Sequence, residues 1–308
     1  SKVHYGPRVP MTPIAFPLVH HSLPAILGGG QAYFSKPQLP YKRLPGFQDI
    51  KRNDLVVFNF PANDTLTLEY GSTKTYYELV RKAYHNHSNN TWNSARENVK
   101  MRHKIISRPV DKRENYIKRC VGIAGDELQI INDRLWINGE LAYEPEHIQY
   151  SYRIRRSADY DKKNLIDANI YSLDITESKS SSVITFNASN ENINDLCELM
   201  DCQSNPPLRV TDIGAEKNLE KAPTSVFIYP HNERYEAQFN ISNYGPITIP
   251  SRGMTVNLKD SLQYALYRRV INAYEGHTVV REKGNVIRID GEIQDEYTFT
   301  MDYYWMMG

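Results

Sequence analysis

No apolar run in this chain approaches the roughly 18 residues that a membrane-crossing helix requires. The first residues enter strand-like sequence directly and do not read as a secretory signal. Net charge is nearly absent: 37 Lys and Arg stand against 36 Asp and Glu, a formal +1. That balance gives no electrostatic case for nucleic acid. Three cysteines are too few for a disulfide framework. Cys120, among apolar neighbours, reads as a buried thiol. Cys197 and Cys202 lie five positions apart; an oxidising compartment allows them to pair, whereas a continuous helix places them poorly. Neither His20-His21 nor His85-Asn86-His87 has a further ligand nearby, and no histidine joins a serine and an acid in a triad pattern. No metal and no cofactor are therefore expected. Gly28-Gly29-Gly30 lacks the spacing of a phosphate-cradling loop and reads as a flexible turn.

What is present favours short strands. Tyrosine is abundant, at 22 residues, and strand formers recur between turn signals. Eight prolines from Pro7 to Pro45 exclude long helices and central strands from the first 50 or so residues. Ile14, Phe16, Leu18, Val19, Leu23, Ile26 and Leu27 are dense for such a loop. Packing against a sheet is the expected use, and dipping into lipid headgroups the alternative. A helix is predicted over 76–84, a polar loop over 85–90, and a short helix over 192–200. An amphipathic helix is predicted over 260–273, with Leu262, Leu266, Val270 and Ile271 on one face and Gly276 past its end. Asn138-Gly139 and Asp290-Gly291 each sit between strand formers and predict two-residue hairpins. The run 177–182 reads as a loop, and 245–250 bounds a short strand. Tyr229, Tyr235, Phe239 and Tyr244 read as core aromatics, with a carbohydrate platform as the alternative.

One segment points to a specific chemistry: Tyr116-Ile117-Lys118-Arg119-Cys120-Val121-Gly122-Ile123-Ala124-Gly125-Asp126. Strand formers lead into a lysine, and a Gly-x-x-Gly-Asp turn follows. Lys118 is expected on a β-strand against a mostly apolar wall. A lysine so held can shed its proton and act as a general base. Lysine ordinarily titrates near ~10.4, and reaching about 7 requires roughly 4–5 kcal/mol of desolvation and neighbouring charge. An exposed Lys-Arg pair ending an ordinary strand is the plain alternative.

This segment resembles the lysine box of type I signal peptidases, membrane-anchored Ser/Lys proteases that remove signal peptides from exported proteins. Lys51-Arg52-Asn53-Asp54-Leu55-Val56-Val57-Phe58-Asn59-Phe60-Pro61 is similar to the family's Gly-Asp and apolar strand ending near a proline. Tyr304-Trp305-Met306-Met307-Gly308 resembles the run entering the family's final Gly-Asp-x-Arg motif. Ser1-Lys2-Val3-His4-Tyr5-Gly6 resembles the strand just downstream of the nucleophile box. These segments cover under a third of the chain. The family's Ser-Met-x-Pro nucleophile motif does not occur in it; the matched segments place that motif just before residue 1 and the rest of the last motif after Gly308. A fragment without its serine, unable to cleave, is the expectation.

The resemblance implies a mainly β fold: an antiparallel β catalytic core with a large inserted second domain containing short helices. Core segments are expected at 1–61, 113–144 and 284–308, an insertion at 62–112, and the second domain at 145–283. By match, Lys118 would be the general base, taking the serine's proton and passing it to the leaving amine. Tyr116 and Ile117 would line the first substrate pocket, and Asn115, Ile117 and Val57 the third. Arg119 would pair with the acid of the final motif. Gly122, Gly125 and Asp126 would shape the turn that fixes Lys118. Ala124 stands where the family commonly has proline, and Asn53 replaces a glycine; asparagine tolerates left-handed backbone. The implied partners are signal peptides of exported preproteins and a membrane lipid surface, at the outer face of a bacterial inner membrane. A serine-less homologue serving as a binding or assembly module, and an extracytoplasmic β-rich binding protein, are the alternatives.

Overall fold

Alternating apolar and polar residues, broken every few positions by Asn, Asp or Gly, give this chain short antiparallel strands. The structure is a computed structural model that describes residues 9–17, 19, 23, 26, 31–34, 36–46, 48–59, 65–69, 74–85, 91–155, 162–171, 175–177, 183–210, 228–235, 239–240 and 242–308. The segment 1–6, the histidine pair at 20–21, the glycines at 28–30, the polar stretch 86–90 and the serines at 178–182 lie outside those residues.

In chain order come β1 (Leu55–Asn59), β2 (Thr65–Thr67), α1 (Tyr76–His85), α2 (Trp92–Arg102), β3 (Ile105–Ser107), β4 (Asn115–Gly122), β5 (Glu127–Ile131), β6 (Arg134–Ile137) and β7 (Glu140–Leu141). Then follow β8 (Tyr150–Arg155), α3 (Lys162–Asp167), β9 (Ile175–Glu177), β10 (Val183–Ala188), α4 (Asn190–Leu199), β11 (Leu208–Arg209), β12 (Tyr244–Thr248) and β13 (Thr255–Asn257). The chain closes with α5 (Ser261–Val270), β14 (Val279–Arg281), β15 (Ile287–Ile289), β16 (Glu292–Ile293), β17 (Glu296–Thr298) and β18 (Trp305–Met307). The larger sheets run β1-β4-β18, β12-β5-β6-β7, β11-β8-β10-β9 and β14-β15-β16, all with antiparallel neighbours. The fold is mainly β, as the sequence implied.

Turn chemistry explains the hairpins. Asn138 and Gly139 both take positive φ between β6 and β7, and Asp290 and Gly291 do so between β15 and β16, the geometry of two-residue primed turns. A third such turn, Asn132-Asp133, joins β5 to β6; its lack of glycine hid it in the sequence. Helix α5 starts at Asp260, whose side chain accepts from the Gln263 N–H, and runs on as a π turn, Ile271–Glu275, to Gly276 at φ 81°. Helix α2 was not foreseen: its apolar face is narrow, and its clearest signal is a capping box between Thr91 and Ser94.

Two apolar clusters organise the packing. Leu266 and Ile271 of α5 and its π turn join Leu128, Ile137, Ile247, Ile249, Ile287 and Phe299 in one of them. Phe239 and Tyr244 are buried there, and Tyr229 and Tyr235 pack against it, which is the core role read for these aromatics. The second cluster draws on β8, α3, β10 and α4, with Ile154, Leu165, Phe186 and Leu196 fully buried. Cys197 and Cys202 form a disulfide, with Cα atoms 5.2 Å apart. The helical spacing argument against it fails because α4 ends at Leu199, which leaves Cys202 on a turn. Contrary to the expected packing against a sheet, Ile14, Phe16 and Ile26 are exposed, Ile26 almost completely.

Candidate active site

The site grows from the centre of β4, which β1 flanks on one edge and β18 on the other. Successive strand side chains face opposite ways, so register decides which residues meet. Val56 stands opposite Lys118 and Phe58 opposite Tyr116, while Met306 stands opposite Cys120. These residues share one face. Val56 and Cys120 are buried with Ile50, and Phe58, Ile123, Tyr304 and Met306 pack against them. Lys118 therefore lies on a strand, half-buried, beside an apolar wall. Burial pushes the Cys120 thiol up to about 11, which keeps it neutral and unreactive.

The Lys118 ammonium donates to the backbone carbonyl of Gly308 at 3.3 Å. A Cβ on Gly308 would fall 2.8 Å from Lys118 Cδ, so a glycine is what lets the backbone come this close to the lysine stem. Thus three segments widely separated in sequence meet around one lysine: the strand 55–59, the lysine box, and Gly308 beside β18.

On the opposite face, Val57 pairs with Ile117 and Asn59 with Asn115. Asn59 donates to the Asn115 side chain at 3.1 Å, and Val57 and Ile117 are 45% and 57% exposed, an apolar step open to solvent. Asn115, Ile117 and Val57 thus lie together on this face. Tyr116 does not join them. The pleat turns it to the lysine face, where its ring stacks on Phe58 with centroids 6.5 Å apart, so Tyr116 and Ile117 do not form one wall.

The turn after β4 is held by charge. Asp126, 4% exposed, accepts from Arg52 Nε at 2.7 Å and Arg52 Nη2 at 2.5 Å. It also accepts from the Ile123 N–H at 2.9 Å and Asn138 Nδ2 at 3.0 Å. Burial alone would raise its pKa, but the Arg52 bonds and the other donors prevail and hold it below the usual carboxylate range. Sequence reading gave Arg52 no role, because an Arg beside a Lys at a strand entrance looks like solvated surface. It is the residue that locks the β1 entrance to the lysine-box turn. Gly125 takes φ +88°, and a Cβ on Gly122 would come within 2.4 Å of Ile249 Cδ1. Ala124 carries no such demand. Asn53 takes φ 70°, the left-handed conformation anticipated for it, and receives Arg119, whose Nη1 donates to its carbonyl at 3.0 Å.

The C-terminal strand is braced from behind by Glu275. Its carboxylate accepts from the Tyr297 hydroxyl at 2.9 Å, the Tyr303 hydroxyl at 2.8 Å, and both the N–H and hydroxyl of Thr300. Burial opposes its charge, yet these donors keep it lowered. The bracket fixes 297–303, the run that delivers β18 to β4.

Residues 31–177 match the family model described as signal peptidase, peptidase S26. That stretch contains β1, β4 and every site residue named in the sequence apart from the last line of the chain. No curated protein and no solved structure matches the chain. The match supports a type I signal-peptidase-like family and, with it, a hydrolase of the peptidase class.

Proposed function

For a chain of the type I signal-peptidase-like family, we propose that Lys118 is the general base of a Ser/Lys endopeptidase. The observation that carries this reading is the position of its side chain, on β4 opposite Val56 and on the face of Cys120, with its amine donating to the Gly308 carbonyl. A base must be neutral to take a proton. No serine of residues 1–308 stands in the Ser-Met-x-Pro motif that would supply the nucleophile. The substrate would lie extended beside the sheet. Small residues at the first and third positions before the cut would be selected by the Val57–Ile117 step, with Asn115 at its edge. Arg119, Gly122, Gly125, Asp126 and Arg52 position the strand rather than touch the scissile bond.

The exposed Ile14, Phe16, Ile26 and Phe34 support placement at a lipid surface, and the Cys197–Cys202 disulfide supports an oxidising, extracytoplasmic compartment. The site would then sit on the outer face of a bacterial inner membrane.

Residues 1–308 alone are expected to leave a signal-peptide substrate uncut at every pH, since no serine in them sits in the nucleophile motif. In a chain extended by that motif, cleavage should appear. There, Ile117→Ala should relax the discrimination against a bulky residue before the cut by about tenfold, one or two methylenes' worth of pocket contact. The two are measured by peptide cleavage with alanine or leucine at the third position before the cut. Cutting by residues 1–308 would remove the Ser/Lys reading; unchanged discrimination would remove Ile117 from the substrate wall.

A further inference from the structure

Away from β4, helices α1, α2 and α5 and the segment 230–232 enclose a cleft of about 390 Å³. Four arginines line it: Arg81 from α1, Arg96 from α2, and Arg268 and Arg269 from α5. No acidic side chain is among its lining residues. Among the described residues none of the four arginines makes a salt bridge. Arg96 has only the neutral Asn93 side chain, at 3.1 Å, and Arg268 sits 5.5 Å from the Tyr264 ring, which also faces Arg281 at 4.2 Å. Arg81 Nε is buried without a hydrogen-bond partner. Glu78, one turn before Arg81, is the one carboxylate that acts on it, and it is outweighed. Burial first, and the Arg269 charge second, push Arg81 down to about 10. Burial and then Arg268 lower Arg269 as well.

Like charges gathered in a partly dry cleft cost stability, and a guanidinium does not relieve that cost by deprotonating near neutral pH. A bound anion relieves it. Several planar forks converging on one space match the oxygens of a phosphate group better than a single carboxylate. Trp92, 39% exposed and stacked on Tyr84 with centroids 4.0 Å apart, stands at the same cleft as a flat apolar flank.

We propose that this cleft binds a phosphate group, carried either by a small free phosphate or by a phospholipid headgroup. It is distinct from the Lys118 site and shares no residue with it.

Two arms distinguish the sources. In the first, the unfolding temperature is followed with inorganic phosphate against sodium chloride of equal ionic strength. In the second, sedimentation with phosphatidylglycerol vesicles is compared with phosphatidylcholine vesicles. A free-phosphate site predicts a saturable rise of about 2–4 °C that Arg81→Gln/Arg269→Gln abolishes. A headgroup site predicts little response to free phosphate but vesicle binding that falls at least tenfold in the same variant. The variant's own unfolding temperature in chloride should equal or exceed that of the unchanged protein, because a repulsion is removed. Where that double variant fails to fold, Arg96→Gln/Arg268→Gln serves in its place. No response in either arm, or responses that the variants retain, would overturn the proposal, as would tighter saturable binding of a single-stranded oligonucleotide than of phosphate.

Discussion

Lys118→Met, placed in a chain that carries the serine motif, is expected to lower signal-peptide cleavage by at least about 10²–10⁴-fold, the contribution of a positioned general base. Fold should be retained. Methionine matches the length of the lysine stem, and Val56 and Cys120 beside it are already apolar. Lys118→Arg should be equally inactive, because a guanidinium keeps its proton near neutral pH. Arg119→Ala should weaken cleavage several-fold only; its guanidinium holds the Asn53 carbonyl and transfers no proton. The measurement is kcat/KM on a preprotein, with circular dichroism as the control for folding. A Lys118→Met protein within a few fold of the unchanged rate would defeat the assignment of the base.

How much of this could be read from residues alone differs by the range of the interaction. Local signals were legible: the Asn-Gly and Asp-Gly turns, the apolar face and Gly276 stop of α5, and the strand character of 115–122. Each depends on a handful of neighbouring residues. The lysine box was legible from its own pattern, strand formers, a lysine and a Gly-x-x-Gly-Asp turn, to which the order of the other matched segments added weight. What the sequence hid was long-range pairing. Nothing at Arg52 announces Asp126, 74 positions away, or shows the Gly308 carbonyl arriving 190 positions after Lys118. That Tyr116 and Ile117 point to opposite faces was hidden for a simpler reason. A residue-by-residue match carries no strand pleat, and adjacent positions on β4 cannot share a face. The disulfide turned on where one helix stops, a boundary that periodicity resolves poorly.

Asp126→Ala should be the most damaging substitution to the fold of the site, costing about 3–4 kcal/mol of stability. It removes a buried carboxylate with four donors and leaves the Ile123 N–H and the Asn138 amide without their acceptor. Arg52→Ala should cost less, about 1 kcal/mol, because the Arg52 side chain is 45% exposed and water replaces part of what is lost. The inequality is the test, read from urea midpoints at constant slope. The pH dependence has a definite sign. Asp126 is held below its unfolded value, so its contribution is complete above that value, near ~3.9, and is lost as pH falls through the lower folded one. Between pH 7 and pH 3, the unchanged protein should therefore lose more stability than Asp126→Asn. In an active chain, Asp126→Ala should also depress kcat more than it raises KM, since the turn that fixes β4 loosens while the Val57–Ile117 step stays in place. Equal losses for Asp126→Ala and Arg52→Ala, or parallel pH profiles for Asp126→Asn and the unchanged protein, would show that the lysine strand is held by its apolar wall and not by this ion pair.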